Sequence, residues 1–109
     1  MNLENTKAQM RKGILEFCIL SLLQSEAKYA SEILDNLKRA EMLVVEGTLY
    51  PLLTRLKNAQ LLEYHWEEST SGPPRKYYQI TKQGIEMLTE LEKSWQSLQK
   101  AVTTLLQAK

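Results

Sequence analysis

Two short amphipathic segments followed at once by strand, turn and strand form the pattern that most narrows what this chain can fold into. Leu62, Tyr64 and Trp66 alternate with Glu63, His65 and Glu67 across residues 61–68. That two-residue period marks a strand with one covered face. Ser69-Thr70-Ser71-Gly72-Pro73-Pro74 comes next, the densest cluster of turn formers in the sequence, and residues 75–81 return as a second strand. Upstream, Ala30, Ile33, Leu34 and Leu37 repeat at helical spacing over residues 29–40, with Glu32, Asp35, Lys38 and Arg39 on the other face. After a linker at 41–45, a third helix begins near 46–48 and runs to about Asn58, with Leu49, Leu52, Leu53 and Leu56 as its stripe. Pro51 is expected in or just after the first turn, where most backbone N–H groups have no helical acceptor, so it helps to place the helix start.

Two more helices flank this arrangement. Residues 5–24 read as one N-terminal helix, apolar round most of its circumference from Ile14 to Leu23, which is the mark of a central helix. Residues 82–106 read as a long C-terminal helix. In it Leu88, Leu91, Trp95, Leu98, Val102 and Leu105 stand 3, 4, 3, 4 and 3 residues apart, the seam of a coiled coil. A helix of that length reaches about 37 Å, more than so small a domain can cover, so part of the seam is expected to meet another chain. The predicted fold is mainly α with a small β-hairpin: a winged helix-turn-helix over 1–81, and a dimerisation helix over 82–109 that packs with the N-terminal helix into one compact domain.

With 109 residues there is room for a single domain with a limited core, which a partner subunit would supplement. The net charge is only +1, so any contact with nucleic acid has to come from local geometry rather than a global field. Residues 46–82 are the only positive stretch, with Arg55, Lys57, Arg75, Lys76 and Lys82 against four acids. Cys18 is the sole cysteine and reads as an inert core residue. The first residues lack the pattern of a secretory signal, and the longest apolar run is too short to cross a bilayer, which makes the cytoplasm the expected location and a membrane an unexpected partner. His65 has no partner spaced for a metal, there is no phosphate-binding glycine loop, and no nucleophile has a histidine in a recognisable motif. Neither catalysis, a metal nor a cofactor is expected. Tyr64 and Trp66 read as packing residues of the first strand.

The major groove of B-DNA is about 12 Å wide and admits one α-helix. In a winged helix the preceding helix braces that recognition helix, and the hairpin lies along the sugar-phosphate backbone or an adjacent minor groove. Here the segment Gly47-Thr48-Leu49-Tyr50-Pro51-Leu52-Leu53-Thr54-Arg55-Leu56 resembles the recognition helix of PadR-like regulators. Gly72-Pro73-Pro74-Arg75-Lys76-Tyr77-Tyr78-Gln79-Ile80-Thr81, followed by Gly84, resembles that family's wing, and the runs Gly13 to Glu16 and Ile19 to Leu23 with Tyr29 also fit. The likeness spans nearly the whole chain and matches the small subfamily with a single C-terminal helix. Two positions depart from it: Gln60 stands where the family usually carries glycine, and Pro73-Pro74 where an extra arginine is common.

The resemblance implies a homodimeric transcriptional repressor on palindromic double-stranded operator DNA. It places Thr48 and Tyr50 at phosphates or base edges, Arg55 at a base or phosphate, Arg75 and Lys76 on the backbone from the wing, and Lys28 and Tyr29 at further phosphates. Each has a plainer alternative. Thr48 and Tyr50 also suit capping and packing, Arg55 a pair with Glu46 or an acid of the second helix, and Arg75 and Lys76 the protection of an exposed strand edge. Trp95 suits either the dimer core or, with Phe17 and Gln99, a pocket for a planar aromatic or phenolic effector of the kind some members of the family bind. The rival function, favoured by the near-neutral charge, is a winged-helix module that binds another protein and never touches DNA.

Overall fold

The computed structural model describes residues 1–108, leaving Lys109, the last residue of the predicted C-terminal segment, outside. Five helices and three short strands follow in the order α1 (Leu3–Lys12), α2 (Leu15–Leu22), β1 (Lys28–Tyr29), α3 (Ala30–Arg39), α4 (Glu46–Asn58), β2 (Leu62–Glu67), β3 (Arg75–Ile80) and α5 (Lys82–Gln107). The mainly α winged helix read from the sequence is the observed fold. The hairpin, however, is part of a three-stranded antiparallel sheet in the order β1-β3-β2. Strand β1 is two residues long, pairing Lys28 with Tyr78 and Tyr29 with Tyr77, too short to leave a periodic signal.

The single N-terminal helix expected over 5–24 is two helices. Gly13 closes α1 and the Ile14 N–H turns back to the Arg11 carbonyl. The physical reason lies in what each half buries: α1 buries nothing, whereas α2 puts Leu15, Ile19 and Leu20 into the core. Only α2 is held by packing, so the two need not stay collinear across a glycine. Helix α2 is central, packed against α1, α3 and α5. Ile19, Leu20, Leu23, Ile33, Leu49, Leu53 and Leu62 form the fully buried centre of the core.

Both helices of the helix-turn-helix end in the same way. At α3 the Met42 N–H reaches the Leu37 carbonyl and the Glu41 N–H reaches Lys38; at α4 the Leu61 N–H reaches Leu56 and the Gln60 N–H reaches Lys57. These are Schellman ends, which need a left-handed residue and favour glycine. Here Glu41 (φ 63°) and Gln60 (φ 65°) occupy those positions. The helix end that glycine would ease is thus made by Gln60 itself, at a cost of about 1 kcal/mol. Pro51 stands in the second turn of α4, deeper than expected. It leaves the Gly47 carbonyl without a helical donor at an exposed position, where water can serve it.

Helix α5 starts on the core and then leaves it. Thr81 caps it, accepting from the Gly84 N–H at 3.0 Å, and donates its hydroxyl to the Gln60 carbonyl at 2.7 Å. Leu88 is buried and Leu91 packs against the core. Every described residue from Glu92 onward is exposed.

Candidate nucleic-acid interface

The N-terminal ends of α3 and α4 and the inner face of the wing enclose a groove of about 360 Å³ lined by Tyr29, Ser31, Tyr50, Trp66, Arg75 and Lys76, with Tyr78 beneath. Each group arrives there for a local reason. Tyr29 begins α3, its N–H held by the Glu32 carboxylate at 2.9 Å. Tyr50 sits on the outer side of α4, 49 % exposed, while Leu49 and Leu53 turn inward. The β2–β3 register sets Tyr64 opposite Tyr78 and Trp66 opposite Lys76, so these four share the face turned toward α4.

The cations of the groove are held over aromatic rings rather than paired with acids. The Arg75 guanidinium lies 4.0 Å from the centre of the Tyr29 ring, and that ring meets Tyr77 at 4.7 Å. The Lys76 ammonium lies 4.6 Å from the Tyr64 ring and 5.5 Å from Trp66. Such contacts orient a cation without neutralising it. Burial, and secondarily the neighbouring Tyr50 and Tyr64, raise the Tyr78 phenol above its ordinary value, so it stays protonated. Val45 caps α4 with no side-chain bond; the Thr48 and Leu49 amides donate to its carbonyl, which leaves those of Glu46 and Gly47 to meet an anion.

Of the seven residues read from the sequence as DNA contacts, Tyr29, Tyr50, Arg75 and Lys76 come together in this groove. Thr48 is exposed on the first turn of α4, outside it. Lys28 is turned away: its side chain is 13 % exposed and its ammonium pairs with Glu26 at 3.0 Å. Arg55 pairs with Glu16 of α2 at 3.4 Å, not with Glu46 or an acid of the helix read over 29–40, which is α3, and remains mostly exposed. Such a surface pair holds its partners weakly.

Of the two aromatics expected to pack, only Tyr64 does; Trp66 is 61 % exposed. Alternation placed Leu62, Tyr64 and Trp66 on one face correctly, and the hairpin then outruns the core, so burial fades along that face from Leu62 to Trp66. The usable signal was proximity to the turn.

Phe17 packs into the core from α2, whereas Trp95 and Gln99 lie on the exposed part of α5. A shallow polar hollow on α5 includes Gln99 with Gln96 and Thr103 but neither aromatic. Among the described residues no group of three or more His, Cys, Asp or Glu side chains is arranged to hold a metal, and no helix is long and apolar enough to cross a membrane.

A recognition helix, its brace and a wing around one cation-bearing groove define the class: a winged-helix transcriptional regulator. Comparison with known proteins gives the same answer. The description "Transcriptional regulator PadR-like family" matches residues 19–90, and the chain belongs to that family, whose members regulate transcription and are not enzymes. It is 59 % identical to a PadR-like transcription factor from Bacteroides fragilis, over 93 % of this chain and 98 % of the other, with a TM-score of 0.78. A PadR-like transcriptional regulator from Bacillus cereus is 41 % identical, covering 93 % and 99 %, with a TM-score of 0.79. A PadR family regulator from Eggerthella lenta, 33 % identical over 98 % and 94 %, superposes with a TM-score of 0.90.

Proposed function

We propose that the chain is a dimeric repressor that binds double-stranded operator DNA through α4 and the wing and is released by a small aromatic or phenolic effector. The observation that carries this reading is the gathering of Tyr29, Tyr50, Arg75 and Lys76 at one groove between the α4 N-terminus and the wing. Helix α4 would enter the major groove, with Thr48 and Tyr50 leading, while Arg75 and Lys76 hold the backbone. Arg55 would reach DNA by leaving Glu16, a step that costs little at the surface. Lys28 would contribute only after releasing Glu26. Residues 1–81 would form the DNA-binding part and 82–109, with α5 at its heart, the dimerisation segment, in a protein of the cytoplasm.

The near-neutral charge favours one rival, a winged helix that docks on another protein. A mobility-shift titration with a duplex from upstream of the protein's own gene, at two salt concentrations, separates the two. Binding with a steep salt slope is expected, because cations on the wing displace counterions from phosphates. Tyr50→Ala should weaken that binding about tenfold, the size of one good contact, with the circular dichroism spectrum unchanged, since Tyr50 is half exposed. Absence of binding by the wild-type protein at low salt would give the case to the protein-docking module.

The effector would bind where two copies of Trp95 approach the dimer axis, with Gln99 one turn on and Phe17 below. The exposure of Trp95, 38 % in a single chain, supports it. In Trp66→Phe protein the remaining indole is Trp95, and planar cationic dyes are expected to quench it at micromolar concentration. Fluorescence that stays constant across the titration would remove the effector from the reading.

A further inference from the structure

The geometry points to Trp66 as a DNA-contacting residue of the wing, an apolar platform for the sugar edge of the duplex backbone beside the phosphate held by Lys76. This rests on the DNA-binding reading above. An indole left 61 % exposed in a folded chain is an unusual cost, since burying such a ring removes about 150–250 Å² from water. The body of the protein offers it no cover: its nearest aromatic neighbour is Tyr64, edge-on at 6.0 Å, and Pro73 and Pro74 flank it at the wing tip. It shares the inner face of the wing with Lys76, its direct cross-strand partner, and opens on the same groove as Tyr50.

The occupant is set by charge. The Lys76 ammonium stands 5.5 Å from the indole and Arg75 lines the same groove, while Glu68 lies at the outer rim. Cations around an apolar ring suit a polyanion whose surface alternates phosphate with deoxyribose. The ring would pack on the sugar and its Nε1–H would donate to a phosphate oxygen. Pro73-Pro74 stiffens the tip and offers no side-chain cation of its own, so Trp66 takes over part of what a charged tip would do.

The test uses the full-length protein and the upstream duplex of its own gene, titrated at several salt concentrations. Trp66→Ala should raise Kd about tenfold while leaving the salt slope at the wild-type value, because an apolar platform displaces no counterion. Trp66→Phe should recover most of the affinity. Lys76→Ala, in contrast, should lower the slope by about one. A Kd for Trp66→Ala within twofold of wild type overturns the inference. So does a slope reduced as in Lys76→Ala, which would make Trp66 a positioning residue for the lysine. Should Trp66→Ala fail to fold, tryptophan emission decides: a blue shift on adding duplex to wild type that is absent in Trp66→Phe supports the contact, and an equal response in both proteins overturns it. Pairing of wings between two copies would show instead as a loss of mass in Trp66→Ala without DNA, and would also overturn it. Failure of wild type to bind the duplex at all takes down the DNA reading itself, and this inference with it.

Discussion

On the proposed dimeric reading, Leu98→Asp is expected to leave a monomer of about 12.6 kDa and to lower operator affinity by a hundredfold or more. In a single chain Leu98 is 58 % exposed on the free part of α5, so an aspartate there disturbs nothing within the protomer. In a paired seam the same carboxylate would meet its own copy in an apolar surface, where an unpaired charge is strongly disfavoured. DNA affinity falls with it because two linked heads bind as one: the second contact is made at a high effective concentration, worth about 10²–10⁴ in affinity. The choice of residue matters. Leu88 and Leu91 belong to the same heptad pattern, yet Leu88 is buried in its own core and Leu91 packs against it. Leu91→Asp would therefore damage the fold and the dimer together. Sedimentation equilibrium and a mobility shift on the same sample check the prediction, with thermal unfolding to show that the domain still melts cooperatively. A dimeric mass for Leu98→Asp would show that another surface joins the protomers.

The second large effect concerns the fold alone. Gly84→Ala should lower the melting temperature by roughly 15 °C. A Cβ at this position would stand 2.2 Å from the Leu61 carbonyl oxygen and 2.6 Å from Cγ1 of Ile80. The first of these is backbone, fixed by the Leu61 N–H bond to Leu56 and by the Thr81 N–H bond to Leu61, so it cannot swing aside as a side chain would. Making room means lifting α5 from the end of α4 and loosening the Thr81 bonds to Gln60 and Gly84. Overpacking against rigid atoms costs about 3 kcal/mol, and each kcal/mol moves the midpoint of a domain of this size by about 4–8 °C. Circular dichroism melts at matched protein concentration measure it, the concentration being fixed because any self-association would add to stability. A midpoint within 3 °C of wild type would mean that the start of α5 shifts freely over Leu61.

Periodicity located α3, α4, β2 and α5 to within one or two residues, because each has a face that must be buried or a seam that repeats, and the turn at 69–74 located β3. It failed where burial was unequal along one stretch. Residues 5–24 looked continuous, but Leu3–Lys12 has no core contact to align it with Leu15–Leu22. At the interface, the family resemblance nominated Thr48, Tyr50 and Arg55 alike, but only Tyr50 lines the groove beside the wing. Arg55 turns toward Glu16, which lies far away in sequence, and Lys28 toward Glu26. Trp66 went unrecognised because alternation gives the face a residue lies on and not how far the hairpin extends beyond the core.

What the amino-acid order determined by itself was the set of elements, their sequence along the chain and the faces they bury, since helix and strand periods are local consequences of backbone geometry and of the aversion of apolar side chains to water. What only the tertiary structure decided was which cations remain free, which stretch of the α5 seam is unspent and which aromatic stands uncovered. Apart from the local Lys28–Glu26 pair, those depend on distances between residues remote in sequence, and no local period encodes them.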